Sequence, residues 1–384
     1  MWFRAVLCLI PLFCDCAIVR VPLKPIEPFS FNSSEADVFT GKSSRKWAVQ
    51  ASSASRTIPL RLRNHEDIGF YGEIGIGTPA QKFVVAFQMS ESLLWVASSE
   101  CYAELHAACR THRLFDHTKS STCTEGDKQH FKRVYYGDDV AGMLLKDDVT
   151  ISSVTVKNQT IGAATEIEWR DFASMAFDGV FGLKRKPKSG ILYDMYSQGL
   201  ISEQIFSIYI NSKGYNPADS EILFGGINSN RYTGEITWTK LLGTEGWEFN
   251  MTSVTVDGVN FCRGGCRAYV ESGATVITGP NREISRLNAK LGTMRYADVF
   301  IVDCERLHML PPINFVINGT TLTLTPREYF YKLYLNSDRL CINMVASSGG
   351  NNNVWMLGNM FLRKYYTIFD AQRNLTGFAK AKIE

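Results

Sequence analysis

Two stretches of this chain share one build. "FQMSESLLWV" (87–96) and "YVESGATVITGP" (269–280) each run apolar, break at a short polar elbow and turn apolar again. Each is followed at a distance by apolar-apolar-glycine, within "GVFGL" (179–183) and "WMLGN" (355–359). An elbow of this kind delivers a polar side chain from the end of a buried strand. Two of them in the same order imply two lobes related by a pseudo-two-fold axis, with the elbows meeting at a cleft. The first elbow offers Gln88 and the second Glu271, so the matched positions supply one ionisable group between them.

The segments around the elbows read as strands. "GEIGIGT" (72–78), "KFVVAF" (82–87), "VTISSVTV" (149–156), "IFSIYI" (205–210), "EILFGGI" (221–227) and "GEITWTKL" (234–241) are rich in β-branched and aromatic residues, several alternating with period two. "SVTVDGVNF" (253–261) and "NFVINGTTLTL" (314–324) carry Asp-Gly and Asn-Gly between apolar flanks, a strong hairpin signal. Helices are expected around 190–200, 281–291 and 325–333. The pattern predicts an all-β, bilobed fold with a few short helices: an N-terminal lobe over 57–225 and a C-terminal lobe over 226–384.

Charge and cysteine usage bound the function. Lys and Arg number 41 against 38 Asp and Glu, a net charge of +3, with no basic stripe and no Gly-rich phosphate cradle. Nucleic acid and anionic membrane are therefore not expected partners. Arg4 followed by the apolar "VLCLIPLFC" (6–14) reads as a signal peptide over 1–17, which makes the chain secreted or lumenal. Residues 18–56, cation-rich and containing "VQASSAS" (49–55), read as a prosegment.

Seven cysteines remain beyond the leader. Their spacing suggests loops Cys101…Cys109, Cys262…Cys266 and Cys304…Cys341, although sequence does not fix connectivity. Cys123 is left as a free thiol or a bridge to a second chain. Sequons start at Asn32, Asn158, Asn250, Asn318 and Asn374. His106, His112, His117 and His130 fall near cysteines, but their spacing fits no tight metal motif. They are expected to be solvated loop histidines, with no metal or other cofactor. Asp116, Asp147 and Asp148 read as surface charges.

From about Ile58 to Ile383 the chain resembles the pepsin-like aspartic proteases. "FYGEIGIGTPAQKFVVAF", "LLWVASSEC", "VYYGDDVAG", "FDGVFGL", "ILFGGIN", "YTGEITW", "TGP" and "WMLGNMFLRKYYTIFD" stand in that family's order. The resemblance implies a flap over the cleft at "VYYGDDVAG", with Tyr136 as the flap tyrosine, Gly137 beside it and Trp95 at the cleft wall. It also implies a reaction that needs Asp-Thr/Ser-Gly from each lobe. Two carboxylates share a proton there, one acting as base on water while the other polarises the scissile carbonyl.

The chain departs from that pattern where the chemistry resides. The first loop reads Gln88-Met89-Ser90, with a neutral amide, no bracing hydroxyl and a side chain where glycine is needed. The second reads Glu271-Ser272-Gly273, one methylene longer, a displacement of roughly 1 Å that can cost about 10²-fold in rate. Asn359 replaces an aspartate, and Asp138 with Asp139 puts carboxylates at the flap tip. The expectation is a pseudoprotease whose cleft binds an extended peptide or protein segment. Two alternatives stay open: weak hydrolysis by Glu271 alone, and a glycosylated scaffold with a blocked cleft.

Overall fold

Short β-branched and aromatic runs bounded by turn residues become strands, and strands dominate this chain. The computed structural model describes residues 56–382, apart from 66–68, 103, 136, 212–219, 336–337 and 350–352. The expected signal peptide, the expected prosegment up to residue 55, the sequon at Asn32 and the flap candidate Tyr136 lie outside the described residues.

Both two-residue hairpin signals are realised. Asp257-Gly258 and Asn318-Gly319 have φ of 45°, 75°, 46° and 79°, the left-handed conformation that matches the twist of the flanking strands. Asn281–Leu291 is a helix whose inward face is Ile284, Leu287, Asn288 and Leu291, and it ends on the left-handed Gly292. The helix expected over 325–333 is a correction. A capping box between Thr325 and Glu328 starts a helix, but it spans only Pro326–Tyr329. Phe330–Leu335 is then a strand antiparallel to Asp338–Asn343, because aromatic Phe330 and Tyr331 suit a ladder better than a helix.

A platform of six antiparallel strands joins the two halves. In spatial order it runs Tyr232–Lys240, Leu375–Ala381, Tyr365–Asp370, Ile205–Tyr209, Ser220–Phe224 and Ile58–His65. The last strand leads into Gly69–Ile76 and the sheet of the first lobe. The second lobe is built from three smaller sheets. Phe206 from the first half stacks on Phe369 from the second, with centroids 4.5 Å apart and planes 9° apart, so the core runs on across the platform.

The duplicated sequence pattern has a physical meaning here: each apolar-apolar-glycine strand threads through its elbow. Gly179–Gly182 pairs parallel with Gln81–Gln88 and antiparallel with Leu94–Ala97, the two arms of the first elbow. Val354–Leu357 does the same between Cys266–Val270 and Ile277–Gly279. The closing residues must be glycine. A Cβ at Gly182 would lie 2.6 Å from Leu93 N and one at Gly358 2.2 Å from Val276 O. This threading fixes the two elbow tips, and hence the site.

The disulfides are Cys101–Cys109, Cys262–Cys266 and Cys304–Cys341. Cys262–Cys266 clamps the turn entering the strand Cys266–Val270, which leads to Glu271. Cys123, half-buried, stands outside these bridges. Asn158, Asn250, Asn318 and Asn374 are all exposed.

Two expectations about charged loops are overturned. Asp147 is fully buried and accepts hydrogen bonds from Ser120 Oγ, Thr122 Oγ1 and Asp148 N, and Asp148, 5% exposed, is paired with Lys157 at 2.6 Å. His112 is not a solvated loop residue either. Its side chain is buried, Nε2 lies 2.7 Å from Phe172 O, and the ring packs on Phe172 at 4.3 Å.

Candidate active site

The threaded elbows bring Gln88-Met89-Ser90 and Glu271-Ser272-Gly273 face to face. Strand pairing holds the first tip: Gln88 lies opposite Gly182, and Leu183 N donates to Gln88 O at 2.8 Å. Val270 pairs with Leu357, and Glu271 N donates to Leu357 O at 3.1 Å, which holds the second.

Glu271 is the centre of the arrangement. Oε1 accepts from Gly273 N at 3.0 Å in its own loop and from Met89 N at 3.0 Å in the facing loop. Oε2 accepts from Ser90 N at 2.9 Å. Three backbone N–H donors thus fill most of the roughly four lone-pair sites of a carboxylate. The extra methylene relative to aspartate gives this side chain its reach into the facing loop. Glu271 is 6% exposed, and burial pushes its carboxyl above the ordinary glutamate value, with the hydrogen bonds it accepts pulling against that shift.

Ser272 braces the loops from the other side. Its Oγ donates to Phe87 O at 2.6 Å, and its N–H donates to Met89 Sδ at 3.5 Å. Met89 is buried at 2% exposure, and its thioether, 3.2 Å from Ser272 Oγ, fills the place where the resemblance calls for a reciprocal hydroxyl. Gln88 is half-buried and lies over Gly273. A Cβ at Gly273 would come within 2.7 Å of Gln88 Cγ, so only glycine permits this approach. Asn359, 1% exposed, supports the second loop, its N–H donating to Ala274 O at 2.7 Å.

The flap is the hairpin Thr124–Tyr135 and Asp138–Ile151, turned at the exposed Gly137 (φ 96°). Trp95 is fully buried, and its Nε1 donates to a tyrosine hydroxyl at 2.7 Å. That tyrosine is Tyr135, one residue before the position expected from the resemblance. Strand alternation could have found it: Phe131 and Tyr135 are buried while Lys132 and Val134 are exposed, so Tyr135 shares the inward face of Phe131. The Tyr135 hydroxyl in turn donates to Glu91 Oε2 at 3.2 Å, and burial together with that carboxylate holds the phenol above its ordinary value. Glu91 escaped notice because it sits in the polar elbow, where a charge reads as solvated. Of the flap-tip carboxylates, Asp139 is ion-paired with Lys132.

Two threaded elbows facing each other loop to loop, with a hairpin flap beside them, define the aspartic protease class. The chain belongs to the eukaryotic aspartyl protease family, whose model matches residues 69–381. It is similar to cathepsin D of Gallus gallus, 34% identical over 336 residues that cover 84% of this chain and 83% of that protein. It is also similar to Renin-2 of Mus musculus, 32% identical over 377 residues (94% and 93%), and to cathepsin D of Dictyostelium discoideum, 34% identical over 347 residues (88% and 90%).

Proposed function

We propose that this protein is a secreted pseudoprotease that holds an extended peptide or protein segment in or around its cleft. One observation carries the reading: Glu271, the one carboxylate among the six loop residues, is engaged by three backbone N–H donors of the loops themselves, two of them from the facing loop. A general base needs a lone pair directed at the attacking water, and a proton-sharing pair needs a second carboxylate. Gln88 supplies an amide instead. The strands that form the cleft stay in place, so main-chain pairing with an extended ligand survives the loss of chemistry. The apolar leader and the exposed sequons support export and glycosylation, and no helix among the described residues is long and apolar enough to cross a membrane.

The test is digestion of a denatured protein substrate by the purified mature chain, from about pH 3 to 7, with and without pepstatin. Its control is a repaired variant, Gln88→Asp/Met89→Thr/Ser90→Gly/Glu271→Asp. Silence from the native chain and turnover by the repaired one is the expected result. Native turnover abolished by pepstatin would overturn the proposal and favour a noncanonical endopeptidase using Glu271, whose upward-pushed carboxyl is the feature such an enzyme would use.

A further inference from the structure

The first elbow carries a carboxylate, but one that faces the flap. Glu91, 8% exposed, accepts from Arg133 Nε at 2.9 Å through Oε1 and from Tyr135 OH at 3.2 Å through Oε2. Ser92 N at 2.6 Å and Leu93 N at 2.9 Å donate to Oε1 from its own loop. Its backbone is held as firmly: Lys184 N donates to Glu91 O at 2.7 Å, and that carbonyl is one of the groups crowding the threaded Gly182. Glu91 is therefore a rigid post rising from the cleft floor.

The groups it grips both belong to the flap. Arg133 and Tyr135 lie two residues apart on one face of the strand, opposite Val140 and Asp138 of its return arm. Arg133 Nη1 also donates to Lys132 O at 2.9 Å, which fixes the guanidinium's approach. The Tyr135 ring stacks on Trp169, with centroids 4.8 Å and planes 8° apart, and its hydroxyl receives Trp95 Nε1. A tyrosine–tryptophan contact alone would locate the flap by packing. The carboxylate adds a charge-assisted bond and a second anchor one turn of the pleat away, and opening the flap would strand Glu91 in a buried site without its counter-ion.

We propose that Glu91 is an ionic latch: it positions the flap through Arg133 and Tyr135, holds it down on the first loop, and so limits entry to the cleft. What the latch admits rests on the reading of the cleft as a ligand site; the latching does not, and is measured separately. The experiment is hydrogen–deuterium exchange on the full mature chain, comparing wild type with Glu91→Gln, Arg133→Met, Arg133→Lys and the Glu91→Gln/Arg133→Met double variant. The amides paired across Arg133↔Val140 and Tyr135↔Asp138 are expected to exchange about 10- to 100-fold faster in each latch-breaking variant. The double variant is expected to be no faster than Glu91→Gln alone, because that change already removes the partner of Arg133. Arg133→Lys keeps the charge and should stay closer to wild type. The hairpin Ser253–Val256 and Val259–Asn260 of the other lobe should be unchanged, reporting an intact fold.

Unchanged flap exchange in both single variants, or rates that multiply in the double, would overturn the latch. Arg133 is half-buried, so Arg133→Met tests the idea even if Glu91→Gln unfolds. Faster pepstatin association when the same latch changes are placed in the repaired Gln88→Asp/Met89→Thr/Ser90→Gly/Glu271→Asp variant would show that the latch limits entry to the cleft. Equal association rates alongside faster exchange would remove that part of the proposal.

Discussion

Replacing Glu271 by alanine tests whether this carboxylate now works as a staple between the loops. Met89 is 2% exposed, and stripping its N–H of an acceptor costs about 1–3 kcal/mol. Ser90 and Gly273 are exposed, so water replaces the lost acceptor and each contributes only about 0.5–1 kcal/mol. Removing a buried carboxylate returns part of its desolvation penalty, which leaves an expected loss of about 2–4 kcal/mol. The pH dependence has a definite sign. Burial raises the folded-state pKa above the ordinary value of 4.5, so the stability linked to Glu271 is fully present below that value and is lost as pH rises through the folded-state pKa. The alanine variant lacks this loss, so the gap between the proteins should narrow from about pH 4 to pH 7. Urea denaturation followed by tryptophan fluorescence at both pH values measures it. A gap below about 0.5 kcal/mol would refute the staple. A gap that widens toward pH 7 would mean that the three N–H donors outweigh burial, reversing the sign argued here.

Asp178 should behave oppositely. Burial alone would raise its carboxyl, but His112 and the N–H groups of Val84 and Arg113 outweigh it and hold the group low. Its stabilisation is present above the ordinary carboxylate value and lost as pH falls, so Asp178→Asn should cost about 2–4 kcal/mol near neutral pH and less in acid, by the same denaturation assay. Gly358→Ala places a Cβ 2.2 Å from Val276 O and 2.5 Å from Ala274 O, both backbone, so the threaded strand cannot seat. A loss above about 3 kcal/mol is expected, seen as failure to recover folded protein, and a normally stable variant would refute the threading argument. Opening Cys304–Cys341, which spans 37 residues, should cost about 4 kcal/mol by loop entropy, against about 2 kcal/mol for Cys262–Cys266, which spans 4. Equal losses from paired serine variants would contradict that ordering.

The fold was legible because its signals are local. Asp-Gly and Asn-Gly turns need only their own two residues, and the elbow followed by apolar-apolar-glycine records a threading that any side chain on the closing glycine would block. What failed was non-local. Asp147 and Asp148 read as surface charges because their partners are distant in sequence: Ser120 and Thr122 lie more than twenty residues earlier, and Lys157 comes from the next strand. The resemblance named Tyr136, which lies outside the described residues, whereas the two-residue period counted from Phe131 selects Tyr135, the hydroxyl that Trp95 meets.

At the site, reading each position as an independent loss missed what the substitutions do together. Glu271 is too long for an aspartate's place, yet that length lets it reach Met89 N and Ser90 N. Ser90 puts a side chain where glycine is required, yet its backbone N–H still reaches Oε2 of that same carboxylate. Met89 lacks the bracing hydroxyl, yet its sulfur receives the N–H of Ser272, whose own hydroxyl still ties the loops through Phe87 O. Gln88 is uncharged, and a second carboxylate in its place would face Glu271 across Gly273 with like charge. Each residue satisfies a need created by another, so the two loops form a cross-linked unit with its own stability. Reverting one position would leave donors or charges unmatched, which is why the chemistry must be restored at all four positions together.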